Sequence, residues 1–203
     1  ANVESICKEI LDHLKPRLPG AKMSETGSVR RRLEIISIVE IIVGHDDFET
    51  IRSVINDHAE LFEDAAASGP FSWVGIHEGS KMNVKIGFCK SENFERELIR
   101  TTGSIEHLNS VLSNGSKIRS LLNSTAVTSE FNFYESIGLQ FIEPELREGT
   151  FEVDAALKKE LPTLVEMSDL KGILHNHSTY SDGKHTLRQM AEYCKELGYE
   201  YLG

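Results

Sequence analysis

The most constraining feature of the sequence is a short turn that leads into a run of β-branched residues. Residues 27–31 read Gly-Ser-Val-Arg-Arg, and residues 34–43 read Glu-Ile-Ile-Ser-Ile-Val-Glu-Ile-Ile-Val. Isoleucine and valine favour strands, so the second segment is predicted to be a central strand of a sheet. The turn supplies backbone N–H groups, a hydroxyl and two guanidinium groups, which together suit a triphosphate. The pattern therefore predicts a phosphate cradle directly before a buried strand.

A nucleotidyl-transfer site also needs carboxylates on that strand. Side chains at positions i and i+2 of a strand share a face, where a pair of carboxylates can hold Mg²⁺. In this chain the two positions are Ile38 and Glu40. Glu40 is therefore the candidate catalytic residue. The candidate phosphate-binding residues, called the cradle below, are Gly27, Ser28 and Arg31.

These residues resemble the palm of the family X DNA polymerases, whose pattern is Gly-Ser-x-Arg-Arg, a later Glu, and then Gly-Asp-x-Asp. Aligned without gaps, Ile38 and Glu40 stand at the two aspartate positions, and Lys85 stands where the third carboxylate is expected. A Thr-Gly-Ser motif is present at residues 102–104, but Arg-Thr at residues 100–101 replaces the aromatic pair before it. The resemblance implies a nucleotidyltransferase palm that has lost most of its metal-binding carboxylates.

Later segments resemble the bacterial branch of this family, which carries a C-terminal PHP phosphoesterase domain. Residues 134–149 resemble the thumb, and residues 169–183, Asp-Leu-Lys-Gly-Ile-Leu-His-Asn-His-Ser-Thr-Tyr-Ser-Asp-Gly, resemble the opening of the PHP domain. The resemblance implies an α+β chain in three parts: a palm over residues 1–104, a small α/β thumb over 105–166, and the first βα unit of a PHP barrel over 167–203. For the palm we expect a mixed sheet with helices on one face, and we expect the chain to be a fragment of a longer protein.

A histidine pair and an aspartate form the second candidate site. His175 and His177 lie at the end of a predicted strand, and two imidazoles spaced in this way can reach one metal ion. Asp182 follows in the loop. In PHP domains these positions bind part of a multi-metal cluster that activates water against a phosphodiester. The resemblance implies Zn or Mn here, with further ligands after Gly203; the alternative is a pair of histidines in a surface turn.

The expected activity follows from the metal positions. Phosphoryl transfer of this kind depends on cations that bridge the attacking and leaving oxygens, so Lys85 in place of a carboxylate predicts a non-catalytic palm. We expect a scaffold that binds DNA or nucleotide, attached to a PHP phosphoesterase or nuclease in DNA repair. Two alternatives stay open: residual transfer with Mg²⁺ on Glu40, or a protein-interaction module. If Glu40 holds no metal, we expect it to form an ion pair with Lys85. If the cradle binds no phosphate, the basic run 30–32 is a solvated surface that pairs with acidic residues.

Composition limits the partners. The formal net charge is −10, and DNA-binding domains are usually basic, so weak DNA binding or dependence on other regions is expected. No segment approaches the ~20 apolar residues of a membrane helix and the start is not signal-like, so the cytoplasm is predicted. Periodicity and capping residues predict further elements. Helices are predicted at 3–14, 48–59, 92–100, 105–112 and 186–197, and strands at 72–76, 82–88, 169–174 and 199–203.

Overall fold

The computed structural model describes residues 3–203, in two compact units that divide between Leu161 and Pro162. The first unit contains a five-stranded mixed sheet in the order β1-β2-β5-β4-β3. The strands are β1 (Lys22–Glu25), β2 (Ile38–Gly44), β3 (Leu61–Glu63), β4 (Ser72–His77) and β5 (Met82–Cys89). The central pair β2 and β5 is parallel and the other pairs are antiparallel. This mixed sheet with its helices confirms the predicted α+β class and is consistent with a nucleotidyltransferase-like fold.

The helices lie before, between and after the strands. They are α1 (Val3–Leu14), α2 (Gly27–Arg30), α3 (Phe48–Asn56), α4 (Phe94–Thr102), α5 (Ile105–Asn109), α6 (Ile118–Ser124), α7 (Glu130–Ser136), α8 (Glu152–Lys158) and α9 (Leu187–Glu196). Short 3-10 turns occupy Ser91–Asn93, Pro144–Leu146 and Met167–Asp169. Within residues 3–203, no helix is long and apolar enough to cross a membrane.

Helices cover both faces of the sheet, which corrects the prediction of helices on one face. Alternate residues of β2, such as Val39 and Ile41, are buried in a core with α1 and α3. The residues between them point to the other face, where Ile42 packs against Phe94 and Leu98 of α4. Glu40 belongs to this second face. The strand alternation therefore puts Glu40 beside α4 rather than in the main core.

The strand β2 begins at Ile38, four residues after the predicted start at residue 34. Arg32 has a left-handed φ of 58°, and the N–H of Leu33 donates to the carbonyl of Ser28 at 3.2 Å, which continues the turn. Ile35 is 86% exposed and lies outside the sheet. The β-branched composition of residues 34–37 thus did not decide their conformation, because the long turn delays entry into the sheet.

A second core follows the sheet within the same unit. It is formed by buried side chains of α4 to α8 and their connections, including Ile99, Leu122, Phe133 and Ile142. The described residues between β5 and residue 172 contain an isolated bridge, Val111 to Lys117, but no strand. The expected α/β thumb is therefore wrong in its β part, because these short segments bury one helical stripe each. The division into palm, thumb and PHP parts stays a prediction.

The second unit has a strand–loop–helix–strand order. Strands β6 (Gly172–Ile173) and β7 (Tyr201–Leu202) pair in parallel, and α9 connects them. The helix begins at a capping box in which Thr186 and Gln189 exchange side-chain to backbone hydrogen bonds. Both strands are shorter than predicted. This order is that of a βαβ connection, and its assignment to a PHP barrel stays a prediction.

Candidate nucleotide and metal sites

The register of β2 and β5 decides which side chains share the expected metal site of the palm. Ile38 lies opposite Asn83, and Glu40 lies opposite Lys85. Neighbouring strands are about 4.8 Å apart, so these four side chains form one patch on the face of the sheet that α4 partly covers. Glu40 is half-buried and Lys85 is exposed. The patch thus combines one carboxylate with a cation, an amide and an apolar side chain.

The expected Glu40–Lys85 ion pair is not formed. Throughout residues 3–203, no ion pair within 4.0 Å involves either residue. A single carboxylate is a poor site for Mg²⁺, which is usually held by one or two carboxylates together with substrate phosphates. The residues present therefore do not fit the two-metal arrangement of the family.

The carboxylate of Glu40 lies directly on the turn that begins the cradle. A Cβ atom built on Gly27 would be 1.8 Å from Glu40 Oε2, and Gly27 has a left-handed φ of 59°. The backbone N–H of Thr26 donates to the Glu40 carbonyl at 2.9 Å, which ties the turn to β2. Glycine is required here for its conformation and for the close approach of the carboxylate.

The arginine of the cradle is paired within the chain. Arg31 Nε donates to Glu148 Oε1 at 2.6 Å, and Arg31 Nη1 donates to the Thr102 carbonyl at 2.7 Å. Ser28 is half-buried beside it, two residues along α2 from Arg30. The structure thus brings Gly27, Ser28 and Arg31 into one turn. Their role in phosphate binding stays a prediction.

The neighbouring arginine makes a bidentate ion pair that sequence reasoning missed. Arg30 Nη1 and Nη2 donate to the two carboxylate oxygens of Glu130 at 2.9 and 2.5 Å, and Nη1 also donates to Thr102 Oγ1 at 2.9 Å. Glu130 accepts a further bond of 2.6 Å from Arg147 Nη1. The Arg147 side chain is 0% exposed, so the acid of α7 is the counter-ion of a buried cation.

The two arginines determine the ionisation of Glu130. Burial alone raises the pKa of this carboxyl, but hydrogen bonds from Arg30 and the charge of Arg147 outweigh burial and leave the pKa below its ordinary value. The guanidinium of Arg147 also lies 5.0 Å from the centre of the Tyr134 ring and 5.6 Å from that of Phe141. Glu130 is therefore a permanent anion at neutral pH that joins α2 to the helical core.

A second buried network lies next to it. His107 Nδ1 is 2.7 Å from Glu152 Oε1, and His107 Nε2 is 2.9 Å from the Tyr134 hydroxyl. Burial lowers the pKa of His107 more than its hydrogen bond to the Glu152 carboxylate raises it. The same carboxylate accepts from the N–H groups of Gly149 and Thr150 at 2.7 and 2.8 Å. These contacts fix the loop that carries Glu148.

The histidines of the second unit lie after β6 in an exposed loop. The ring centres of His175 and His177 are 5.4 Å apart, and His177 Nδ1 is 2.5 Å from Asp182 Oδ1. The structure therefore brings His177 and Asp182 together, with His175 nearby at a left-handed φ of 59°. Within the described part of the chain, no three His, Cys, Asp or Glu side chains are arranged to hold a metal ion. As they stand, these residues do not form a complete Zn or Mn site.

Comparison with known proteins finds a relative that aligns with almost the whole chain. The chain is 30% identical over 208 residues to the DNA polymerase/3'-5' exonuclease PolX of Bacillus subtilis (strain 168). The chain is similar to this DNA polymerase over almost its whole length. The alignment covers 97% of this chain but 36% of PolX, so the chain spans little more than a third of that relative. A scan against protein-family models found no match.

Proposed function

We propose that this chain is a non-catalytic palm and thumb scaffold of a PolX-type protein, which binds DNA or nucleotide next to a PHP phosphoesterase or nuclease in DNA repair. The Bacillus subtilis relative is named for a DNA polymerase and a 3'-5' exonuclease. The observation that carries the proposal is the register that sets Glu40 beside Lys85 and Ile38 beside Asn83.

The chemistry of this patch supports the loss of nucleotidyl transfer. Two cations between the reacting oxygens neutralise the charge that develops during transfer. An ammonium group beside the remaining carboxylate repels a divalent cation, and neither isoleucine nor lysine supplies the carboxylate that the pattern has at its position. Binding of DNA or nucleotide does not require these metal ions, since backbone N–H groups and arginines recognise phosphates directly.

The PHP part of the proposal depends on residues beyond the histidine loop. His175, His177 and Asp182 would supply two imidazoles and a carboxylate, the ligand types that Zn and Mn accept. When bound, such a metal ion supplies an activated water molecule. Within this chain, His177 Nδ1 lies 2.5 Å from Asp182 Oδ1, so two of the three candidate ligands are already close together.

One observation favours residual polymerase activity as the second candidate. Glu40 makes no side-chain hydrogen bond or ion pair within the part of the chain that the structure describes, so its carboxylate is available to a cation. Under this alternative, Glu40 and a carboxylate from elsewhere hold Mg²⁺ for slow transfer.

The test uses the full protein that the gene encodes, gapped DNA, deoxynucleotides and Mg²⁺ or Mn²⁺. We expect metal-dependent release of nucleotides from 3' ends that His177→Ala abolishes and Glu40→Gln leaves unchanged, and no template-directed incorporation. Incorporation that Glu40→Gln abolishes would establish the second candidate and refute a non-catalytic palm. Calorimetric titration with gapped DNA and with nucleotide completes the test, because no heat from either would favour a protein-interaction module.

A further inference from the structure

The binding edge of Arg31 is already occupied by an anion of the chain itself. Its Nε–H donates to Glu148 at 2.6 Å, its Nη1 donates to the Thr102 carbonyl, and its side chain is 12% exposed. A guanidinium recognises phosphate and carboxylate with the same planar fork of N–H donors. A phosphate that binds through the Nε edge must therefore replace Glu148.

The other end of the cradle also carries a carboxylate. Glu40 Oε2 lies against Gly27 so closely that a Cβ would be 1.8 Å away. No ion pair within 4.0 Å neutralises Glu40 among residues 3–203. An incoming polyphosphate therefore meets Glu40 at the turn and Glu148 at the arginine, and both oppose its binding.

Arg30 and Arg31 differ in how easily their ion pairs open. Glu130, the acceptor of Arg30, is 10% exposed and is also the counter-ion of the fully buried Arg147. Glu148 is 32% exposed and has Arg31 as its ion-pair partner. Breaking the Arg31–Glu148 pair costs little free energy because the contact is partly solvated, whereas breaking the Arg30–Glu130 pair also disturbs the counter-ion of the buried Arg147. Arg31 is therefore the arginine whose ion pair opens more easily, through its partly exposed partner Glu148.

We infer that Glu148 competes with an incoming anion for Arg31 of the cradle, and that a polyphosphate binds when the Arg31–Glu148 pair opens. This autoinhibitory contact rests on the proposed nucleotide-binding role of the cradle. The ligand class is the triphosphate tail of a nucleotide, which offers several oxygens to one guanidinium. Protein groups that attract Glu148 away from Arg31 then increase nucleotide affinity.

The experiment is calorimetric titration of the whole chain with inorganic tripolyphosphate, without metal. We expect Glu148→Gln to bind about tenfold more tightly than the unaltered chain, since glutamine keeps a hydrogen-bond acceptor and removes the competing charge. The matched control is Glu145→Gln, an equal change of charge at an exposed residue of the same segment, which is expected to bind like the unaltered chain. Adding Arg31→Gln to Glu148→Gln is expected to remove the increase.

The outcomes separate this inference from the proposed function. Equal affinities of the unaltered chain and Glu148→Gln, both lost with Arg31→Gln, would overturn the competitor role and leave the cradle intact. No binding by any variant, with unchanged far-UV circular dichroism, would overturn the competitor role and nucleotide binding at the cradle together. An equal increase from Glu145→Gln would assign the effect to net charge and also overturn the inference. If Glu148→Gln does not fold, Glu148→Ala gives the same comparison.

Discussion

Replacing Glu130 with alanine is expected to reduce the free energy of unfolding by about 3–5 kcal/mol, the range for removing one partner of a buried ion pair. The acid is 10% exposed and pairs with Arg147, which is 0% exposed, and with Arg30, which is 18% exposed. Its removal leaves a buried guanidinium with the Ile142 carbonyl and two aromatic rings as its remaining partners. Loss of an acid from the first turn of α7 adds a few tenths of a kcal/mol.

The assay is urea unfolding at pH 7, followed by fluorescence and by far-UV circular dichroism. The only tryptophan, Trp73, is fully buried in the sheet core, so its fluorescence reports that core, while dichroism reports the helices. Coincident transitions permit a two-state free energy. A shifted dichroism transition with unchanged fluorescence would show that the helical core unfolds separately.

The matched control is Glu97→Ala on α4. Glu97 also pairs with an arginine, Arg100, at 2.6 Å, but that arginine is 39% exposed. A solvated pair of this kind contributes about 0–1 kcal/mol. If Glu130→Ala costs no more than Glu97→Ala, burial of Arg147 does not determine the strength of the network, and the reasoning is refuted.

Further predictions concern pH and the turn of the cradle. Burial, and then the charge of His13, lower the pKa of His58 from 6.5, so the stabilisation by neutral His58 is present above pH 6.5 and is lost as pH falls below it. The urea midpoints at pH 7.5 and pH 5 are expected to differ less in His58→Asn than in the unaltered chain. An equal difference in the two proteins would contradict this. The pKa of the Glu130 carboxyl is lowered from 4.5, so this carboxylate stabilises the fold above pH 4.5, and the stabilisation is lost as pH falls through the lower folded-state pKa. Acid unfolding of the unaltered chain and of Glu130→Ala measures this loss, which is expected in the unaltered chain alone. Gly27→Ala is expected to destabilise the fold more than Gly20→Ala, since both glycines have positive φ but only a Cβ at Gly27 would meet a carboxylate. Thermal melting measures both variants, and equal losses of stability would refute the clash.

Local elements were well predicted because their signals are local. The helix over 3–14 has the predicted bounds, and the helix predicted from residue 48 begins there, where Asp47 caps it by accepting from the N–H of Thr50. The strands β4 and β5 were predicted to within one residue at each end. These features depend on periodicity and capping within a few residues.

Features that depend on distant residues were not predicted. The start of β2 was placed too early, because the turn after Arg31 extends through residues that are themselves good strand formers. The region over 105–166 was expected to contain strands because the resemblance implied an α/β thumb, whereas the described residues there form helices. The acceptors of Arg30 and Arg31 lie 100 and 117 residues further along the chain, beyond any local pattern.

The sequence by itself determined which residue types stand at the positions aligned with the metal-binding carboxylates of family X polymerases, and its resemblance to that family agrees with the similarity to PolX. The tertiary structure decided how those residues are used. It set Glu40 beside Lys85 without an ion pair, turned the Glu40 carboxylate onto Gly27, and brought Glu148 to Arg31. The physical reason is that residue types limit which ligands are possible, whereas the partner of a charge depends on the packing of segments far apart in sequence.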